Sequence, residues 1–367
     1  MKPASLALVL VAAVACSNKD KTSVATSNSP AGARDARPRG DAQLDRAGNV
    51  VLPAPAAVPV PPADRAPLPA GAPAATTTPA LVALGELLFF ERRLSADGTT
   101  RCASCHDPAH GFAGVDAHSQ NALGKPAPRH TPTLYDLAWA KELAWDGRGG
   151  EPVKFVMGHL TAQLGLALDD SIRRVQESPT YRAMLERAGA IENPARMAGA
   201  ALTAYALTRY SPDAPWDAHV RGDANAVGAD AIAGEALFTG KARCSKCHVP
   251  PLYSDHDYHR LGLVASPDDG RGRVDDGKIG AFRTPTLRGA ALRKRFFHDG
   301  SAASLEDAVD WHLAGGTGQG ATPDQIDPEL QAVTLTERER AQLLAFVRAL
   351  SPASVTFTPP VLPEDLP

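Results

Sequence analysis

CASCH at residues 102–106 and CSKCH at 244–248 decide how this chain is read. In each, two cysteines are separated by two residues and followed at once by a histidine. That is the pattern in which two thiols bond a porphyrin edge and the adjacent imidazole reaches the iron. Five Cys and eleven His in 367 residues would give about 0.002 such pentapeptides by chance, so two are not accidental. Zinc ribbons also pair cysteines as CxxC, but they need no histidine after each pair and seldom separate the pairs by so much chain. A disulfide across each CxxC, or a thioredoxin-like motif, leaves both histidines unexplained. Two covalently bound haem c groups are therefore expected, attached through Cys102, Cys105, Cys244 and Cys247, with His106 and His248 as proximal iron ligands.

Outward from these motifs the periodicity is helical. Leu81, Leu84, Leu87 and Leu88 share one helix face, Ala198 to Tyr210 reads as a small-residue helix, and Thr336 with Glu339 caps a helix ending near Leu350. SLEDAVDWHLAGG, 304–316, reads as one short helix. Ser304 and Asp307 have the form of a capping box, Leu305, Ala308 and Val309 give the apolar face, and Gly315 with Gly316 supplies the stop. His312 stands near its end. Only 5% of residues are aromatic while 31 are Gly and 32 Pro, which fits a loop-rich protein assembled around something other than its own aromatic core. A net charge of -3 carries no basic excess, so nucleic acid is not an expected partner.

The ends carry their own signals. Lys2, the apolar run Leu6 to Val14 and Ala13-Val14-Ala15-Cys16 resemble a bacterial lipoprotein signal. Residues 1–16 are expected to be a lipoprotein signal peptide with Cys16 lipidated, too short to span a bilayer. The only membrane association expected is through that lipid, on the periplasmic side of a bacterial membrane, with Ser17 favouring the outer one. Residues 17–79, rich in Pro and Ala, are expected to be a disordered tether, and 354–367 a short tail.

Several segments resemble, in order, the bacterial di-haem cytochrome c peroxidase family, including its relatives that oxidise protein substrates. They are LGELLFFERRLSADGTTRCASCHDPAHGFA (84–113), RHTPTLYDLAWAKELAWDGR (129–148), GEALFTGKARCSKCH (234–248), GAFRTPTLRGAALRKRFFHDGSAASLEDAVDWHLAGG (280–316) and LTERERAQLLAFVRAL (335–350). The resemblance implies a mainly α protein with two cytochrome c-like haem domains, placed at 80–228 and 229–353. The N-terminal haem would be peroxidatic, and the C-terminal one would pass electrons from a small reduced donor protein of cytochrome c or cupredoxin type to hydrogen peroxide. Many members are homodimers. In the family the residue fourteen positions after the His of the FHDG motif is the second axial ligand of the C-terminal haem. Counting from His298 lands on His312, where members usually carry Met or Tyr, so bis-His ligation by His248 and His312 is expected. Trp145 matches the family tryptophan that relays electrons between haems, and Arg148 suits a haem propionate.

Two departures stand out. The family places a Gln and a Glu ten and twenty residues after the tryptophan, where this chain has Phe155 and Gly165. No carboxylate follows until Asp169, which leaves Gln163 or His159 to take the distal place, with Gln163 the candidate carried forward. The family's calcium-binding Asn is His130 here, a poor ligand for a hard cation, so calcium near the carbonyls of Arg293 and Arg295 is expected to be weak or missing. His118 and His130 fall in the loop that supplies a distal histidine in some members, and Asp268 to Lys278 reads as a solvated turn. The function implied is an exported di-haem peroxidase. The alternatives are an oxidase acting on an aromatic residue of a partner protein, or a cytochrome that only passes electrons.

Overall fold

The computed structural model describes residues 43–44, 50–189, 192–265 and 267–363. Cys16 and the rest of the expected signal sequence lie outside the described residues. The chain is mostly helical: α1 Pro79–Phe90, the single turn α2 Cys102–Cys105, α3 Pro152–Leu164, α4 Leu168–Val175, α5 Pro179–Arg187, α6 Pro194–Leu207, α7 Pro215–Val220, α8 Ala229–Thr239, α9 Leu305–Leu313 and α10 Glu337–Ala349. Among the described residues there are two short antiparallel ribbons: β1 Gln43–Leu44 with β2 Val50–Val51, and β3 Tyr258–Arg260 with β4 Ala281–Arg283.

The helix starts follow local chemistry. Five of them open with proline behind a cap residue, where its missing N–H costs nothing. Thr78 accepts from Leu81 N before Pro79, Asn193 from Arg196 N before Pro194, and Glu151 from Lys154 N before Pro152. Ser304 caps α9 by accepting from Asp307 N at 3.0 Å, but the Asp307 carboxylate accepts from Ala303 N, so the reciprocal half of the expected capping box lies one residue earlier. At α10 both halves form, between Thr336 and Glu339. The small-residue helix begins at Pro194 and stops at Leu207, three residues short of the expected Tyr210, with the Thr208 hydroxyl bonded back to the carbonyls of Ala204 and Tyr205.

Among the described residues there are two large hydrophobic cores, with a small third cluster of Phe297, Ala302 and Ala308. The first gathers Leu84, Leu88, Phe89, Leu160, Ile172, Tyr181 and Tyr205, the second Trp216, Phe238, Tyr253, Leu343 and Phe346. Each is built on one close helix crossing at a glycine. A Cβ at Gly85 of α1 would overlap the Ala201 carbonyl of α6 and stand 2.8 Å from Tyr205 Cβ; one at Gly234 of α8 would overlap the Gln342 carbonyl of α10 and stand 2.8 Å from Phe346 Cβ. Only glycine lets backbones approach so closely. Both glycines belong to the repeated string Gly-Glu-x-Leu-Phe, at 85–89 and 234–238.

The repetition extends further. Thr131-Pro132-Thr133-Leu134 recurs as Thr284-Pro285-Thr286-Leu287, 153 residues on. At the same interval the bridge Leu143↔Gly149 recurs as Phe296↔Ala302, left-handed Ala144 (φ 69) as Phe297 (φ 69), and Gly147 (φ 70) as Gly300 (φ 66). The cap residues Glu151 and Ser304 keep that interval, so α3 and α9 leave equivalent turns.

Three expectations need correction. Within the proposed tether, residues 52–76 are a strap against the first core: Trp139 Nε1 donates to Ala66 O at 2.9 Å, Arg187 to Pro53 O at 2.6 Å, and Val58, Leu68 and Ala74 pack inward. Small apolar side chains suffice here because the strap covers a surface rather than forming its own core. The tail also folds back, with Phe357 stacked on Phe90 at 5.2 Å and Arg93 donating to Pro363 O. Trp216 packs edge-on against Phe346 at 4.8 Å, so the second core begins before the expected boundary at 228.

Candidate haem-binding site

Around the first motif, Cys102, Cys105 and His106 line one cavity of about 250 Å³ together with Phe89, Trp145 and Leu160. His106 Nδ1 lies 3.0 Å from Phe112 O. A carbonyl only accepts, so Nδ1 carries the proton and Nε2 keeps its lone pair for a metal. Phe112 turns this carbonyl inward by adopting φ 53, and the Thr133 hydroxyl holds the preceding carbonyl, of Gly111, at 2.5 Å. Burial, and then the neighbouring His159, pull the His106 pKa down to about 4. It is therefore a neutral imidazole at neutral pH, as a metal ligand must be.

The second motif repeats this construction. Cys244, Cys247 and His248 line a separate cavity of about 160 Å³ with Phe297, Leu305 and His312. His248 Nδ1 lies 3.0 Å from Tyr253 O, Tyr253 has φ 52, and the Thr286 hydroxyl donates to Leu252 O at 2.6 Å. Burial, then His312, hold His248 at about 4. The two CxxC pairs line different cavities, too far apart in the structure to share one metal. Burial pushes the Cys102 and Cys244 thiols up to about 12.

His312, in the last turn of α9, faces His248 across the second cavity, with ring centres 6.3 Å apart. A metal–imidazole bond of about 2.0 Å, with the ring centre about 1.1 Å further on, puts two trans imidazoles roughly 6 Å apart, centre to centre. His312 Nδ1 lies 2.7 Å from Ala308 O, again leaving Nε2 free. The pair fits an iron held on both faces.

Trp145 and Arg283 line both cavities. The indole Nε1 donates to His130 O at 2.8 Å, and Arg283 N donates to Trp145 O at 2.8 Å, so the ring is fixed between the two sites. Arg129, Arg148 and Arg283 reach the first cavity, and Arg243, Arg283 and Arg293 the second. Of these, Arg129 is spent on Asp146 and Asp268 and Arg243 on Glu329, so Arg148 and Arg283 are the guanidiniums best placed for haem propionates.

Phe155, His159 and Gln163, successive turns of α3, all line the first cavity. Gly165 ends that helix with φ 72; a side chain there would be strained, which accounts for the missing carboxylate. His118 is exposed and bonded to Ala127 O, whereas His130 is buried with Nδ1 3.0 Å from Asp116 O and lines the first cavity. Arg293 donates to the Thr286 and Arg288 carbonyls. Among the described residues, the groupings of ligating side chains dense enough for a cation are Cys247–Asp255–His259 and Asp64–Asp213–Asp217. Neither includes His130, and the second is taken up by Arg65, Arg221 and Arg288. The loop expected as a solvated turn is instead anchored: Asp268 takes a two-pronged bond from Arg129 at 2.6 and 2.7 Å, and Arg271 pairs with Glu142 at 2.6 Å.

Sequence reasoning missed the internal duplication, although its signals, the two TPTL strings and the two Gly-Glu-x-Leu-Phe strings, were in plain view. Residues 79–225 match the family model described as di-haem cytochrome c peroxidase. The chain is 36% identical to the methylamine utilization protein MauG of Methylorubrum extorquens, over 78% of this chain and 82% of that one. It is 33% identical to a cytochrome-c peroxidase of Denitromonas iodatirespirans, over 77% and 83% respectively. A solved MauG-like protein associated with microbial copper homeostasis superposes with a TM-score of 0.67 at 25% identity, over 80% of this chain and 93% of that one. With two CxxCH cavities joined through one tryptophan, the chain belongs to the di-haem cytochrome c peroxidase family.

Proposed function

We propose that this protein reduces hydrogen peroxide in the cavity of His106, with electrons arriving from a small reduced donor protein through a second haem held by His248 and His312. Cys102 and Cys105 would carry the first haem covalently, and Cys244 and Cys247 the second. When bound, the haems supply iron that stores and passes single electrons. The chain's own residues set the division of labour. His312 stands 6.3 Å from His248 and leaves no place for peroxide there, whereas the first cavity is larger, about 250 Å³ against 160 Å³, and its second carbonyl-held imidazole, His130, is tied to Asp116 O. This asymmetry carries the reading. Trp145, buried against both cavities, is the relay between them.

Export with lipid attachment at Cys16 is part of the proposal, since it would put the enzyme beside periplasmic donors. The deciding experiment loads the purified protein with haem and follows peroxide consumption with a reduced cytochrome c or cupredoxin. Turnover above that of free haem supports the reading; none, after reductive activation, ends it. One observation favours a second reading, oxidation of an aromatic side chain on a partner protein. Imidazole in place of thioether lowers a haem potential, which makes the second haem a weaker acceptor from mild donors and steadier when oxidised. A co-exported partner that gains oxidised Trp or Tyr when peroxide is added would establish it.

A further inference from the structure

His159 stands eight residues after Glu151, the cap of α3, and His312 eight residues after Ser304, the cap of α9. Because the turns leading into both helices repeat at the same interval, the two imidazoles hold the same station, one over each cavity. Their surroundings differ. His312 is tied to Ala308 O and directed at His248. Among the described residues the ring nitrogens of His159 have no hydrogen-bond partner, and its ring instead lies against Phe155, 22° from parallel with centres 5.9 Å apart. The ring lines the cavity and keeps an exposed edge. A neutral imidazole with an unbonded ring nitrogen can accept a proton, and the Arg148 guanidinium lines the same cavity. Its cavity also has more free space than the second, about 250 Å³ against 160 Å³.

We propose that His159 is the proton-transfer group for peroxide in the first cavity, standing in for the carboxylate this chain lacks, with Arg148 beside it as a fixed positive charge. The assignment rests on the peroxidase reading and names the residue that reading needs. The imidazole accepts the proton of one peroxide oxygen and returns it to the other, so the O–O bond breaks with water as the leaving group. Two electrons from the donor protein and two protons from solvent balance the conversion of one hydrogen peroxide to two waters. Gln163, one turn further on, orients by hydrogen bonding but has no proton to exchange.

The test uses the haem-loaded protein and the variants His159→Gln and Gln163→Ala. Hydrogen cyanide, like hydrogen peroxide, must surrender a proton as it binds, so its association rate reports a distal base without turnover. In His159→Gln, cyanide association and the peroxide-driven absorbance change are expected to slow by about 10² to 10⁴-fold. The electron paramagnetic resonance signals of both haems stay as in the wild type, and Gln163→Ala stays within about tenfold of wild type. Wild-type rates in His159→Gln, with an active wild type, overturn the assignment and leave the peroxidase reading standing. A wild type with two low-spin haems, one turning high-spin in His159→Gln, makes His159 an axial ligand and also overturns it. A wild type that binds cyanide but leaves peroxide intact ends the peroxidase reading and this assignment with it.

Discussion

Replacing His312 isolates the second cavity. In the wild type the ring centres of His248 and His312 are 6.3 Å apart with both Nδ1 atoms held by carbonyls, so the two Nε2 atoms are placed for one iron. One haem in two should then be low-spin with two imidazole ligands. His312→Ala removes the outer imidazole and leaves His248 anchored to Tyr253 O, so the low-spin fraction should fall from about half of the haem to under a tenth. His312→Met restores a sixth ligand of a different kind. Axial-ligand identity spans about 0.8 V across haem proteins, so this exchange should raise the potential of that haem on the order of 200 mV. At about 59 mV per decade for one electron, that is roughly a thousandfold shift in its equilibrium with the donor. Paramagnetic resonance with spin counting and a spectroelectrochemical titration read both quantities. If His312→Ala keeps its low-spin amplitude and potential, the imidazole is a packed helix residue and the geometric match is coincidence.

Gly85→Ala and Gly234→Ala each press a methyl into a facing carbonyl, so each should cost about 1–3 kcal/mol. Thermal unfolding followed at the haem bands should show the loss, and unchanged melting would mean the helices separate freely. Trp145→Phe removes the hydrogen bond to His130 O and the indole shared by both cavities, so electron exchange between the haems should slow at least tenfold with both ligand signals intact; stopped-flow reduction checks this. Glu91 is 1% exposed. Burial alone would raise its carboxyl, but bonds from Arg93 and Tyr181 hold it below the usual range. Its contribution is therefore fully present above the ordinary value near 4.5 and lost as pH falls through the lower folded value. Acid unfolding of the first core should steepen below about pH 4, and Glu91→Gln should flatten that dependence.

Much of the candidate site was legible because a covalent haem, as proposed here, would fix sequence spacing. Two cysteines and a histidine must reach one porphyrin from a single turn, so Cys102–His106 and Cys244–His248 are readable without any fold. His312 was reached by counting from His298, since a short capped helix after a fixed turn preserves the interval. The strap was not legible: residues 52–76 have the composition of a linker, yet Trp139 and Arg187 offer hydrogen bonds to their proline-rich backbone and the first core takes up Val58, Leu68 and Ala74. Composition cannot report partners supplied by a distant segment.

The duplication gives the two cavities one plan, and the exceptions to the plan locate the chemistry. Where the repeat is kept, the proximal imidazole is fixed by the carbonyl of a left-handed aromatic residue, Phe112 or Tyr253, and any one-electron haem site has use for that. Where it is broken, the roles part. At the station shared by Trp145 and His298, the first copy keeps an indole reaching both cavities, while the second has an imidazole stacked on Phe282 with ring centres 3.6 Å apart. At the station of His159 and His312 both copies keep an imidazole, but only His312 has the carbonyl bond that aims it. An aimed imidazole closes a haem face. An unaimed one over a larger cavity is what the proposed proton transfer needs. On the proposed reading, one half would serve as electron port and the other as reaction chamber through differences at a few stations, with the helix crossings at Gly85 and Gly234 common to both.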